Sequence, residues 1–340
     1  MGAVIIVDAL WGDSGKGKVC AHLARRDNVQ LAVRAGIGTN AGASVTLDDG
    51  THIRARQLPT GWLNPSTNVA VGPGVLIDPT VFADEVERFG LAGKVFADGR
   101  SGIIAPEHVT LDRTDPHLVE TVRTTGSGTG PARADLVLRK AQQAKDVPAL
   151  GEYLTDVPRL VNETASTGTV LVEGSQGTML SLSLSSDYPF TTSGNCTSAA
   201  AMDDVGLSWQ RVDDVVMVVK ALPTRSGAGP LPFELSTDEV AERAVVEYGV
   251  VTGRQRRKAA GIAWELLEYA AMLNGPTQIA LTFCDHVDPA VRGVRAFDEI
   301  SEPVRELIRR VEEVTKAPVT LLDTGPRLGD LIDVPVLAQS

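Results

Sequence analysis

The sequence has little of what would place it at a membrane, in an oxidising compartment or on nucleic acid. Its three cysteines, Cys20, Cys196 and Cys284, are odd in number and show no metal-ligand spacing, so they read as reduced core or surface thiols. Long hydrophobic runs are missing: the N-terminal apolar run is far too short to span a bilayer, and no basic leader precedes it. The expected location is the cytoplasm, that of a host if the chain is viral. Positive charge is scarce, with 32 Lys and Arg against 43 Asp and Glu and a net charge of -11. That balance argues against nucleic acid as a bulk partner, and any anionic ligand must be held by local cationic clusters against the overall field. Internal repeats, low-complexity tracts and clear linkers are also missing. The 340 residues, 43% of them hydrophobic, therefore read as a single domain, 1–340, with ample material for a core.

What is present is organised around Ala3 to Arg26. Val4, Ile5, Ile6 and Val7 form a β-branched run, the chain breaks at Gly12, Gly15 and Gly17, and helix-compatible sequence follows. The order strand, glycine loop, helix exposes successive backbone N–H groups and the positive end of the helix dipole at one place, which suits phosphate oxygens. Lys16 and Lys18 add full charges there. Gly12 to Lys18 fits G-x-x-x-x-G-K, but position 19 is Val where a Ser or Thr normally ligates magnesium. Asp13, inside the loop, is the natural replacement, since a hard cation bound to phosphates takes a carboxylate oxygen.

Further along, Leu31 to Ala35, Val69 to Val71, Gly102 to Ala105, Thr169 to Glu173, Val215 to Lys220, Ile279 to Phe283 and Val319 to Leu322 read as strands. Helices are expected over Pro79 to Phe89, Ala134 to Lys145 with Arg139 and Lys140 in mid-helix, Ala259 to Leu273 and Glu302 to Val314. The alternation predicts an α/β fold with a central, mostly parallel sheet and crossover helices. Glycine-rich loops follow at Gly36 to Ser44, where Asn40 is the one long polar side chain, and at Thr124 to Gly130, where hydroxyls accompany the glycines. Gly174 to Gly177 lies at the C-terminal end of a core strand, where open α/β sheets bind ligands, and Gln176 carries both a donor and an acceptor for a purine edge. Arg254, Arg256, Arg257 and Lys258 place four cations within five residues of an acidic chain, a trap for a carboxylated or phosphorylated ligand.

W-G-D-x-G-K-G-K at Trp11 to Lys18, G-T-N-A-G at Gly38 to Gly42, T-T-G-S-G-x-G-P at Thr124 to Pro131, E-G-x-Q-G at Glu173 to Gly177, Y-P at Tyr188 and Pro189, T-R-x-G-A-G-P at Thr224 to Pro230, and T-G-R-x-R-R at Thr252 to Arg257 occur in the order of the adenylosuccinate synthetase family, which the chain resembles over nearly its whole length. The length is similar to the compact archaeal-type members. The resemblance implies one large α/β unit and a ligase that phosphorylates the 6-oxo group of a purine nucleotide, then displaces phosphate with the amine of L-aspartate. Asp13 matches the base and magnesium ligand, Gly42 the glycine whose carbonyl reaches the metal, and Lys16 and Lys18 the lysines that neutralise the transferring phosphoryl. The triphosphate would lie on Gly12, Ser14, Gly15, Lys16, Gly17 and Lys18, with Asp285, Thr324 and Gly325 near its base. Asp13, Ser14, Asn40, Thr124, Thr125, Gln176, Thr192 and Ser226 would hold the mononucleotide, joined by Arg139 from the second chain of a homodimer. Val251, Thr252, Gly253, Arg254 and Arg256 match the loop that closes on L-aspartate.

Four positions depart from the family. Ser14 stands for Glu, Ala43 for the His that stabilises the phosphoryl transition state, Ser226 for a Val near the ribose, and Phe283 for a Lys that helps read the guanine of GTP. A bacteriophage branch that makes 2-aminoadenine for DNA is similar in carrying Ser after the loop aspartate and uses dGMP. The departures favour dGMP with ATP or dATP as donor; the alternatives are the ordinary reaction of IMP with GTP, and a nucleotide-binding switch without catalysis.

Overall fold

The run that opens the chain becomes the middle of the molecule. In the computed structural model, which describes residues 2–335, Gly2–Asp8 (β1) is buried along nearly its whole length. Burial on both faces is what a parallel sheet covered by helices demands of a strand, and it explains the absence of polar alternation. Successive residues serve opposite faces: Ile5 and Val7 enter one apolar core and Ile6 enters another.

The sheet has ten strands. In chain order the strands are β1, β2 (Leu31–Arg34), β3 (Ala43–Thr46), β4 (His52–Ala55), β5 (Asn68–Val71), β6 (Val95–Asp98), β7 (Leu154–Thr155), β8 (Thr169–Glu173), β9 (Val212–Lys220), β10 (Thr224–Arg225), β11 (Arg257–Lys258), β12 (Gln278–Thr282), β13 (Val319–Asp323) and β14 (Leu331–Asp333). The spatial order is β14-β13-β12-β9-β1-β8-β2-β5-β6-β7. The pairings are parallel except β13 with β14, and β3–β4 and β10–β11 form separate antiparallel pairs. Helices α1 (Lys16–Arg26) and α2 (Pro79–Arg88) contribute to the core on the Ile6 side; α3 (Pro106–Thr114) and α4 (Thr129–Val137) pack on each other; α5 (Val157–Thr167), α6 (Ser198–Val205), α8 (Trp264–Asn274) and α9 (Glu302–Thr315) line the Ile5 and Val7 side, and α7 (Thr237–Glu242) is a short outlying turn. Parallel pairing places the ends of β1, β2, β8, β9 and β12 at one edge, and the loops that leave them build a single cleft.

Three local expectations are corrected. Gly102 to Ala105 is not a strand; it makes isolated bridges, Gly102 to Gln143 and Ile103 to Ile77, and its apolar residues serve packing instead, Ile104 lying with Ile37, Leu76 and Ala132. The true strand is β6, Val-Phe-Ala-Asp, ending in the buried Asp98, whose carboxylate accepts from the backbone N–H of Val157 and from Arg100. The helix expected over Ala134 to Lys145 begins at Thr129, because Gly128 adopts the left-handed conformation that turns the chain into it, and it ends before Arg139, which has φ +62°. The helix expected from Ala259 starts at Trp264, since Ala259 is engaged with Pro223 by a backbone hydrogen bond.

Candidate active site

The glycine loop is shaped from beneath. Asp8, at the end of β1, accepts from the backbone N–H groups of Leu10 (2.8 Å) and Gly12 (3.2 Å) and lies 3.3 Å from Lys16 Nζ. Gly12 and Gly15 have φ of +84° and +86°, so the turn needs residues without a side-chain penalty there. Lys16, at the start of α1, donates to the Gln176 carbonyl at 2.5 Å, which ties the loop to the segment after β8. A Cβ on Gly177 would lie 2.4 Å from the Leu10 carbonyl and 2.6 Å from the Gly12 nitrogen, so glycine permits that close approach. Lys18, also on the cleft but buried, donates to Asp323 (2.7 Å) and the Gly325 carbonyl (2.6 Å).

Asp13 occupies the crest of the loop at φ +55°. Its backbone carbonyl accepts from Lys220 Nζ (2.9 Å), and its carboxylate accepts from Ser226 Oγ (2.7 Å) and from Arg256 Nη2 (2.9 Å), with Arg256 Nε 2.8 Å from Oδ2. Arg256 also bonds Glu247 at 3.0 Å. Glu247 is a hub, accepting from Lys220 at 2.7 Å and from Lys258, while His286 sits 3.7 Å away. Burial alone would raise the Glu247 carboxyl, but Lys220 and Lys258 overcome it and hold the group well below the usual carboxylate range. Burial pushes Lys220 down to about 8, with Arg256 and Lys258 adding to the effect and Glu247 opposing it. Burial, then Lys258, pushes His286 down to about 4.

The cleft above this loop is about 580 Å³. It brings together Gly12, Asp13, Ser14, Gly15, Lys16, Gly17 and Lys18 with Asn40, Gly42, Thr124, Thr125, Gln176, Thr192 and Ser226, and with Val251, Thr252, Arg254, Arg256, Asp285 and Gly325. Asn40 Nδ2 donates to Thr192 Oγ1 at 3.2 Å while Asn40 Oδ1 has no partner; Gln176 Nε2 and Ser14 Oγ are likewise buried and unpartnered. Unsatisfied buried polar atoms facing one cleft are what a site built for a polar ligand leaves open. Burial and then Asp323 push Asp285 up to about 6, Arg292 opposing.

Three expected residues lie off the cleft lining. Arg139 sits beyond the end of α4 and is exposed, Gly253 forms a turn at φ +65°, and Thr324 is fully buried with its hydroxyl donated to the Val294 and Asp330 carbonyls. The cationic loop is also less free than its composition implies. Arg257 is held by Glu234 and Lys258 by Glu247, so Arg254 and Arg256 remain the cleft-lining pair. Sequence reasoning missed Asp8, Glu247 and Lys220; the one available signal was an acidic residue just upstream of a cationic run.

The adenylosuccinate synthetase family model matches residues 5–149 and 147–290. The chain belongs to the adenylosuccinate synthetase family. It is 44% identical over 337 residues to the adenylosuccinate synthetase of Archaeoglobus fulgidus, covering 98% of both chains, and 45% identical over 341 residues to that of Thermococcus sibiricus, covering 98% of this chain and 99% of the relative. Adenylosuccinate synthetases are carbon–nitrogen ligases, and this chain is an enzyme of that kind. Among solved structures the fold is similar to fully ligated adenylosuccinate synthetase from Plasmodium falciparum, with TM-score 0.90, 22% identity and coverage of 98% and 100%. It is similar also to cyanophage S-2L succinoaminodeoxyadenylate synthetase bound to dGMP and dATP, with TM-score 0.82, 23% identity and coverage of 98% and 96%. The whole-length relatives are ordinary synthetases; the phage enzyme is a distant neighbour in fold. No helix among the described residues is long and apolar enough to cross a membrane.

Proposed function

We propose that this synthetase joins L-aspartate to C6 of a purine mononucleotide through a 6-phosphoryl intermediate, at the expense of a nucleoside triphosphate. The observation that carries the reading is the convergence on one cleft of the phosphate loop, Asp13 at its crest, and the Arg254 and Arg256 pair. O6 of a purine is a poor leaving group. Asp13 takes the N1 proton, the electron pair it leaves raises the charge on O6, and O6 attacks the γ-phosphorus as the bond to the bridging oxygen breaks and nucleoside diphosphate leaves; the amine of L-aspartate then adds at C6, gives up a proton, and phosphate departs with O6. Lys16 and the loop N–H groups stabilise the phosphoryl oxygens, and the guanidinium groups receive the aspartate carboxylates bidentately. Magnesium is the ion these residues would hold: Asp13, whose carboxylate now engages Ser226 and Arg256, and Gly42 both line the cleft, and magnesium bound with substrate phosphates takes only one or two carboxylates. When bound it neutralises phosphate charge. The quaternary state proposed is a homodimer, with Arg139 serving the partner's cleft.

IMP is the acceptor favoured by the whole-length likeness to ordinary synthetases, with GTP as donor. A second reading, dGMP with ATP or dATP, is favoured by Ser14, whose buried hydroxyl is unpartnered and could accept from the C2 amine that hypoxanthine lacks. Burying that amine unpaired would cost about 1–3 kcal/mol. The test is kcat/KM for IMP and dGMP, read as aspartate-dependent phosphate release. A higher value for IMP supports the first reading; a higher value for dGMP, narrowed by Ser14→Glu, supports the second. Absence of aspartate-dependent release with both would leave a nucleotide-binding switch.

A further inference from the structure

The arginines that line the cleft are Arg34, Arg123, Arg225, Arg254, Arg256 and Arg292, and carboxylates already face most of them. Arg34 bonds Glu173 at 2.7 Å, Arg225 bonds Asp187 at 2.5 Å, Arg256 divides its N–H groups between Asp13 and Glu247, and Arg292 Nε lies 3.8 Å from Asp285. Arg254 Nη1 donates to the backbone carbonyl of Arg123 at 3.2 Å. The Arg123 guanidinium itself has no hydrogen bond or ion pair among the described residues. We infer that Arg123 is a substrate-binding residue that, beside Arg254, takes a carboxylate of L-aspartate. The inference rests on the proposed reading of the cleft as the site of an aspartate-using synthetase, and it adds a residue from outside the cationic loop.

A dicarboxylate presents two pairs of oxygens, and one guanidinium fills one pair bidentately, so two arginines with free N–H groups are the matching set. Arg256 is buried, and each N–H that it turns to substrate is taken from Asp13 or Glu247. Arg123 and Arg254 are exposed at the cleft and give up no carboxylate. The bond from Arg254 to the Arg123 carbonyl brings the two residues side by side although 131 positions separate them. Asp112, a carboxylate on the same cleft, is buried and accepts from the Gly128 N–H at 2.8 Å.

The backbone points the same way. Arg123 ends the turn His117–Val122 in the left-handed conformation, with φ +57° and ψ +47°, where glycine or asparagine is the usual residue. A β-carbon is unfavourable there, and a cation that is neither buried nor paired returns no stability. A strained position occupied by a side chain that does nothing for the fold directs attention to a ligand.

The experiment compares wild type with Arg123→Gly, which removes the cation and relieves the backbone, and Arg123→Lys, which keeps the charge and loses the fork. Arg123→Gly is expected to raise the KM for L-aspartate by about 10-fold or more, with kcat and the KM values for mononucleotide and triphosphate within about twofold, and Arg123→Lys to fall between. Succinate, a dicarboxylate with no amine to transfer, serves as a competitor of L-aspartate, and its inhibition constant is expected to rise in Arg123→Gly together with that KM. Thermal melting of Arg123→Gly is expected near the wild-type temperature, because relieved strain offsets the added freedom of the unfolded chain. An aspartate KM within about twofold of wild type in Arg123→Gly overturns the inference. So does a loss confined to the mononucleotide KM, which would assign Arg123 to the phosphate beside Thr124 and Thr125. A wild type without aspartate-dependent turnover instead overturns the proposed reading of the cleft, and this inference with it.

Discussion

Replacing Glu247 by glutamine removes one negative charge from the centre of a cationic cluster while keeping its volume. Lys220 Nζ at 2.7 Å, Arg256 Nη1 at 3.0 Å and Lys258 Nζ then face an amide whose oxygen cannot serve all of them. Lys220 and Lys258 are 3% and 0% exposed in their side chains, so water does not compensate. Removing one partner of a buried pair costs about 3–5 kcal/mol, and hydrogen bonds to charged groups about 1.5–3 kcal/mol each. The loss is capped because Lys220, already pushed down to about 8, can shed its proton once its carboxylate is gone. The expected change at pH 7 is therefore about 3 kcal/mol, a fall in Tm of roughly 4 °C for a chain of 340 residues. The pH dependence gives a signature. Glu247 is depressed in the folded state, so its contribution is fully present above its ordinary value of 4.5 and is lost as pH falls through the lower folded value. In the variant, raising the pH deprotonates the stranded lysines and recovers stability. Urea unfolding of both proteins at acid, neutral and mildly alkaline pH measures this. A difference under about 1 kcal/mol at pH 7, or one that widens as pH rises, would refute the charge-hub account.

Asp13→Asn is expected to lower kcat by at least about 10²-fold with nucleotide binding by calorimetry largely intact, because the base is lost while the loop N–H groups remain. GTP is expected to be favoured over ATP by less than about a hundredfold in kcat/KM, since a Phe at 283 offers guanine no charged donor. Asp285, raised to about 6, stops accepting from a donor base as pH falls through that value, so the KM for GTP should rise between pH 7 and 5 more than that for ATP. Its stability term has the opposite sense: an acid raised in the folded state stabilises most below its ordinary value of 3.8, and that contribution disappears as pH climbs through about 6.

What was legible in the sequence follows from local physics. The β1 run, its glycine loop and α1 are fixed within one short stretch by β-branching and by glycines at positive φ, Asn40 and Gln176 were found because they sit in loops at strand ends, and Thr192, in an irregular Ser- and Thr-rich segment, was reached only through the family resemblance. β6 was missed because a strand of four residues ending in Asp carries little pattern, while the more apolar Ile103 and Ile104 owe their character to packing. The end of α4 was misplaced because helix-compatible residues continue past the left-handed turn at Arg139. Glu247 left only its place just upstream of Arg256 and Lys258 as a signal, because its partners Lys220 and His286 arrive from β9 and from the turn after β12, far away along the chain. The dGMP reading leaned on Ser14, Ala43, Ser226 and Phe283 alone, whereas identity across the whole length sides with ordinary synthetases.

The central claim is that O6 of the purine becomes an oxygen of the released phosphate. Turnover of IMP or dGMP carrying heavy oxygen at O6, with unlabelled L-aspartate and triphosphate in ordinary water, tests it by mass analysis of the phosphate. The account predicts one heavy oxygen in every phosphate formed together with the aspartate adduct. Unlabelled phosphate, with the heavy oxygen retained in the nucleotide or lost to water, would contradict it.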